Sequence, residues 1–167
     1  MKKFLYGIAL AVMLTGCRTA NVSHPTSNAP IIYHNAQYGL TFSLPADWRG
    51  YSVLTNEWVG QQSDDKTGEI IRTEHGPKII LRHPQWTASD PHQDIPISIF
   101  TRAQWEDVHE EILVTSAGGI DFDISHNRNY VFTVHSRFNW NELTGWEEAQ
   151  KIVATNCMIA GPTLYEH

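Results

Sequence analysis

The sequence predicts an α+β domain in which helices cover a largely antiparallel sheet. Three observations lead to this fold class. Several short segments alternate between apolar and polar residues, as half-buried strands do. Clusters of Gly, Pro, Asn and Asp separate these segments over short distances, which is typical of hairpin connections. Helical spacing of apolar residues appears only late in the chain, where two helices are predicted among many hairpin-linked strands.

The most regular predicted strand covers residues 38–44, YGLTFSL, in which every second residue is apolar. The apolar face of this strand consists of Tyr38, Leu40, Phe42 and Leu44. Pro45 ends the strand, because proline has no backbone N–H to donate to a neighbouring strand. Further strands are predicted at 51–60, 69–73, 78–83 and 94–100, with a polar turn at 61–68 and a tight connection at 75–77, HGP.

A helix is predicted to begin after Thr101, which stands three residues before Gln104 in the capping-box pattern. Its inner face is expected to consist of Trp105, Val108, His109 and Ile112. A hairpin follows, with strands at 119–124 and 130–138 joined by the turn SHNRN. Thr144 and Glu147 form a second capping-box pattern, and the helix behind it should turn inward Trp146, Ala149, Ile152 and Val153.

The N-terminal residues have the organisation of a secretion signal. Lys2 and Lys3 precede an apolar run of eleven residues, which is shorter than the roughly 20 residues needed to span a bilayer core. The run ends in Leu-Thr-Gly-Cys, which resembles the lipobox of bacterial lipoproteins. That resemblance implies that residues 1–16 are removed and that Cys17 carries a diacylglycerol and an amide-linked fatty acid such as palmitate. An ordinary signal peptide with a chance cysteine is the alternative.

The residues after the signal predict a tether followed by one domain. Residues 17–30 are assigned to the lipidated cysteine and a flexible polar tether, and residues 31–167 form a single domain by length. Lipoproteins of Gram-negative bacteria that stay at the inner membrane commonly have aspartate after the cysteine, and this chain has Arg18. The resemblance therefore implies a cell-envelope protein anchored through Cys17, on the periplasmic face of the outer membrane. Cys157 would then have no disulfide partner and is interpreted as a small buried hydrophobe.

The charge of the chain argues against one class of partner. Loss of Lys2 and Lys3 changes the formal net charge from −6 to −8. No basic stripe is present, so nucleic acid is not an expected partner.

Four segments resemble PsbP-like domains of an uncharacterised bacterial group. They are YGLTFSLPADWRGY, GPKIILRHPQW, QDIPISIFTRAQW and GWEEAQKIV, and the resemblance covers residues 31–157. It implies an α/β/α sandwich around an antiparallel sheet, in a family whose better-known members act mainly by binding partners. The expected function is therefore that of a membrane-tethered, non-enzymatic lipoprotein that binds an envelope protein and needs no cofactor.

The segment between the fourth and fifth predicted strands holds the densest set of candidate functional residues, which are His83, Trp86, His92 and Asp94. The two histidines and the aspartate could ligate zinc or manganese in a metal-dependent hydrolase or in a carrier of metals or small ligands. Their spacing, His-x₈-His-x-Asp, differs from that of zinc motifs, whose paired ligands stand roughly two to five residues apart. Three prolines restrict the backbone here. We therefore expect a stiff recognition loop, with Trp86 as its main anchor and no metal or catalytic residue.

Overall fold

The computed structural model describes residues 28–115, 121–135, 143–155 and 158–160 of the chain. These residues form nine strands, two α-helices and a short 3₁₀ turn at Ala46–Trp48, so the α+β class is confirmed. The elements are β1 Ile31–Asn35, β2 Leu40–Leu44, β3 Ser52–Ser63, β4 Ile70–Arg82, β5 Ile95–Thr101, α1 Arg102–His109, β6 Val114–Thr115, β7 Asp121–His126, β8 Tyr130–His135, α2 Trp146–Ala154 and β9 Met158–Ala160.

The strands form two sheets in which all neighbours pair antiparallel. A three-stranded sheet has the order β1-β2-β9, and a six-stranded sheet has the order β6-β3-β4-β5-β8-β7. The larger sheet is curled into a half-barrel. Its two edges are joined by the chain between Thr115 and Asp121, which spans at most roughly 20–22 Å. Because the edges of a flat six-stranded sheet would stand roughly 24 Å apart, curling is needed for this connection to close.

The core lies on both faces of the larger sheet, because successive residues of a strand point in opposite directions. On one face, Trp58, Phe100, Leu113 and Val131 are buried together, and α1 packs against them. On the other face, residues of β5 and β8 pack against β1, β2, Trp48 and the buried side of α2. Helix α1 therefore covers one face, and the small sheet together with α2 covers the other. No helix among the described residues is long and apolar enough to cross a membrane.

The predicted connection at 75–77 is wrong, since β3 and β4 form one long hairpin that continues through it. Trp58 pairs with Gly76, and a Cβ on that glycine would lie 2.4 Å from the indole ring. The missing side chain thus leaves room for Trp58, whose Nε1 donates to the carbonyl of Ile99 at 2.7 Å. The turn of the hairpin begins at Asp64, whose carboxylate accepts from two backbone N–H groups at 2.9 and 2.8 Å.

The two helices differ in how they begin. The capping box of α1 is confirmed: Thr101 accepts from the Gln104 backbone, and the Gln104 side chain accepts from the Thr101 backbone. The helix ends at His109, so Ile112, predicted on its inner face, lies beyond it and is 37% exposed. The capping box of α2 is wrong, because the N-cap is Gly145 with φ +80° and no side-chain cap is present. Its inward face is confirmed for Ala149 and Ile152.

Several sequence-based expectations concern residues outside the described ranges. They are the signal at residues 1–16, lipidation of Cys17, most of the tether and the burial of Cys157. These expectations stay predictions.

Candidate functional site

The two histidines of the predicted recognition loop lie against each other. The rings of His83 and His92 are stacked, with centroids 4.6 Å apart and an interplanar angle of 9°. His83 is 8% exposed, and its ring also meets Trp48 edge-on at 4.9 Å between centroids. The backbone N–H of Gln85 donates to Nδ1 of His83 at 3.2 Å. Nδ1 is therefore an acceptor, which places the proton of the neutral ring on Nε2.

The surroundings of His83 favour its neutral form. Burial lowers the pKa of His83 below its ordinary value of 6.5, and the neighbouring His92 lowers that pKa further. The carboxylates of Glu148 and Asp47 act in the opposite direction without cancelling the effect. The stacked pair therefore contains an uncharged, buried imidazole at neutral pH, close to two acidic groups from other elements.

The loop that carries the histidines is attached to the start of α2. His92 and Thr144 form an isolated β-bridge, and the backbone N–H of Gln93 donates to the carbonyl of Thr144 at 2.8 Å. The hydroxyl of Thr144 donates to Oδ1 of Asp90 at 3.1 Å. This contact explains why Thr144 does not cap α2, since its hydroxyl is already engaged by the loop.

The other two predicted site residues are engaged by Arg82. Its guanidinium binds both carboxylate oxygens of Asp94, with Nε 3.2 Å from Oδ1 and Nη2 2.9 Å from Oδ2. The same guanidinium lies 3.8 Å above the ring of Trp86. Trp86 is half-buried and belongs to neither apolar cluster. His83 is therefore the buried residue of the loop, whereas Trp86, expected to be its main anchor, is half-buried under Arg82.

The structure thus brings His83 and His92 together, whereas the Asp94 carboxylate is bound by Arg82. Within the described ranges, no group of three or more His, Cys, Asp or Glu side chains is placed to hold a metal ion.

A groove of about 370 Å³ is lined in part by Asp47 and Glu148, the two carboxylates that act on His83. It is lined by apolar residues of β2 and α2 together with Asp47, Glu148 and Lys151. Oε1 of Glu148 accepts from Nε1 of Trp48 at 2.9 Å, so that carboxylate links the groove to the ring that contacts His83. Pro30, the residue before β1, also lines the groove.

Sequence reasoning missed a second surface at the free end of the β3–β4 hairpin. Three β-branched side chains there are exposed, Ile70 by 56%, Ile71 by 60% and Val114 by 65%. We call these residues the ribbon-end patch. The sequence contained one signal for it, because the doublet at 70–71 breaks the alternation of a half-buried strand. The structure shows a break in register there, with Gln62 opposite Arg72 and Ser63 opposite Ile70.

The ribbon-end patch lies in the acidic part of the molecule. The hairpin turn and β4 contribute Asp64, Asp65, Glu69 and Glu74, and α1 with the residues after it contributes Glu106, Asp107, Glu110 and Glu111. Segments 64–74 and 106–111 contain eight carboxylates and two cations, a formal net charge of −6 that equals the charge of the whole chain. Arg72 is already paired with Asp107 and Glu74.

Models of protein families, curated proteins and solved structures were compared with this chain, and none of the three comparisons gave a significant match.

Proposed function

We propose that this protein is a lipid-anchored, non-enzymatic component of the cell envelope whose PsbP-like domain binds a protein partner through the ribbon-end patch. The observation that carries the proposal is the exposure of Ile70, Ile71 and Val114 together at one end of the domain. Contiguous apolar surface of this kind marks interaction sites in soluble domains.

Folding of the domain does not require apolar residues at these positions. Burial of a Val or Ile side chain stabilises a protein by about 1.5–3 kcal/mol, and these side chains remain mostly in water. Threonine has a similar preference for strands and would expose less apolar surface. A partner that covers the patch would recover the stabilisation that the isolated domain forgoes.

The predicted anchor defines where such a partner would be. If Cys17 is lipidated, residues 18–30 allow the domain to stand at most roughly 43–47 Å from the membrane surface. The partner would then be a membrane protein or another protein held near the same membrane. The PsbP-like resemblance supports the same function, because relatives of that kind act mainly by binding partners. The helices on opposite faces of the larger sheet are compatible with a PsbP-like sandwich.

The alternative is a carrier of small ligands or metals, or a metal-dependent hydrolase, that uses the 83–94 loop. The observation that favours it is the stacked pair of His83 and His92, together with a groove that contains the carboxylates of Asp47 and Glu148. The two functions predict contacts at different places on the domain.

Site-specific photo-crosslinking in the native envelope tests the proposal. The full-length protein would carry a benzophenone amino acid at Ile71, with matched variants at Thr87 in the 83–94 loop and at Arg128 in the β7–β8 turn, all exposed positions. We expect a discrete crosslinked protein from position 71 and none from position 128. A crosslink only from position 87, or none from position 71 in intact membranes, would contradict the proposal.

A further inference from the structure

The exposed residues of the ribbon-end patch lie on β4 and β6, on either side of β3. Arg72 and Glu74 contact α1, so Thr73 between them points away from that helix, while the strand pairing skips Ile71 at the break in register. Val114 stands opposite Gln61, and Gln61 stands opposite Thr73. Ser63, two residues after Gln61, stands opposite Ile70, so Val114 and Ile70 lie on the side of the sheet that α1 does not cover.

Acidic groups lie near this patch because α1, on the opposite face of the sheet, runs along β4 toward the free end of the hairpin. The Gln104 side chain donates to Glu74 at 2.9 Å, and Asp107, one turn later, pairs with Arg72. The C-terminal end of α1 therefore points to the patch and brings Glu110 and Glu111 with it. Asp64, Asp65 and Glu69 belong to the hairpin turn itself.

Two of these carboxylates stand where local structure disfavours them. The C-terminal end of a helix carries a partial negative charge, and Glu110 occupies the C-cap position of α1. Glu111 has φ +60°, a left-handed conformation that glycine or asparagine adopts with less strain after a helix. The acidic character of this end is therefore not explained by the stability of α1.

We infer that the ribbon-end patch binds a cationic protein segment, in which apolar side chains are flanked by Lys or Arg; this inference rests on the proposed function. The apolar side chains would cover Ile71 and Val114. The flanking cations would lie against the turn carboxylates and against Glu110 and Glu111. Since Arg72 is already paired within the domain, the field at this end stays negative and selects against acidic partners.

The crosslink from position 71 supplies the first test, because the attached peptide can be sequenced by mass spectrometry. We expect that peptide to carry a net positive charge with Lys or Arg beside its apolar residues. The crosslink yield should fall when NaCl is raised from roughly 0.05 to 0.3 M, since salt screens exposed charges over distances near the Debye length.

The second test compares matched charge replacements in the full-length protein. Glu110→Gln with Glu111→Gln should lower the crosslink yield from position 71 by roughly two- to tenfold at low salt. Glu57→Gln with Glu147→Gln removes the same charge at exposed sites away from α1 and should leave the yield unchanged. Thermal melting of both variants checks that the fold is retained.

Two outcomes would overturn the inference. One is a neutral or acidic crosslinked peptide, or a crosslink yield that changes neither with salt nor with the Glu110/Glu111 replacement. This outcome would exclude a cationic partner but not partner binding at the patch. The other is the absence of any crosslink from position 71, which would contradict both the proposed function and this inference.

Discussion

At the scale of single residues, His83 connects the parts of the candidate site. Its ring is stacked on His92, meets Trp48 edge-on and accepts a backbone hydrogen bond from Gln85. A buried imidazole of this kind is more easily charged in the unfolded chain than in the folded one. The pH dependence of stability should therefore report directly on this site.

We expect the free energy of unfolding to fall as the pH drops below about 6.5. Burial, and then His92, lower the pKa of folded His83 below its ordinary 6.5. Below pH 6.5 the unfolded state therefore binds a proton that the folded state does not bind. The free energy of unfolding continues to fall until the pH reaches the folded pKa. Chemical denaturation between pH 5 and 8 measures it.

The His83→Gln variant should show a shallower pH dependence over that range. His34→Gln, at an exposed histidine, controls for removal of a histidine as such. Equal slopes for the parent and His83→Gln would show that this group does not link protonation to folding.

Gly76 is the second residue whose role is specific, because the Trp58 indole occupies the space of a side chain there. We expect Gly76→Ala to destabilise the domain by about 1–3 kcal/mol through overpacking. In a Trp58→Leu background the same change should cost less, with a coupling of about 0.5–3 kcal/mol in a double-mutant cycle. Denaturant unfolding of the four proteins measures the coupling. The same penalty in both backgrounds would rule out the steric explanation.

At the scale of elements, the 83–94 loop and α2 depend on each other. Thr144 stands just before α2, yet its hydroxyl binds Asp90 and its backbone forms a bridge with His92. The start of α2 instead relies on Gly145, whose φ of +80° suits a residue without a side chain. Removal of the contact between the Thr144 hydroxyl and Asp90 should therefore loosen the attachment of the 83–94 loop to the start of α2.

Thr144→Val removes the hydroxyl and keeps the shape of the side chain. Loss of one net hydrogen bond is worth about 0.5–1.5 kcal/mol, so backbone amides of residues 85–90 should exchange hydrogen roughly two- to tenfold faster. Hydrogen–deuterium exchange measures this rate. Thr155→Val removes a hydroxyl at the other end of α2 and should not affect the loop. Unchanged exchange in the Thr144 variant would show that the loop is held by its other contacts alone.

At the scale of the whole molecule, the proposed function requires an anchor as well as a binding surface. The domain has the patch at the free end of the β3–β4 hairpin and begins near the groove at Pro30. The tether predicted at residues 17–30 would join the domain to the lipid on Cys17. Anchoring should therefore depend on one cysteine and not on the other.

We expect mass spectrometry of the mature protein to find an acylated Cys17 at its N-terminus. Cys17→Ser should abolish acylation and release the protein from the membrane fraction or leave it unprocessed. Cys157→Ser, at the other cysteine, should leave the lipid in place. An unmodified N-terminus at another residue would disprove the lipoprotein assignment.

The sequence by itself determined the features that depend on neighbouring residues. The alternation in β2 and the capping box of α1 both involve residues within a few positions, whose hydrogen bonds and facing are set by backbone geometry. The β7–β8 hairpin was predicted for the same reason, since a short turn joins its strands. These local signals were enough for the α+β class, and they gathered the four candidate residues of the 83–94 loop into one segment.

Only the tertiary structure decided what those residues contact. In the sequence Gly76 suggests a turn, but in the structure it pairs with Trp58, 18 positions earlier. Thr144 likewise suggests a helix cap, but its hydroxyl donates to Asp90, 54 positions earlier. The histidine stack likewise needs the loop to fold back on the start of α2. The physical reason is that folding minimises the free energy of the whole chain, so a side chain finds partners among all residues that are near it in space. Sequence spacing shows only the nearby candidates, while the curled sheet and the packing of α2 bring the distant ones within reach.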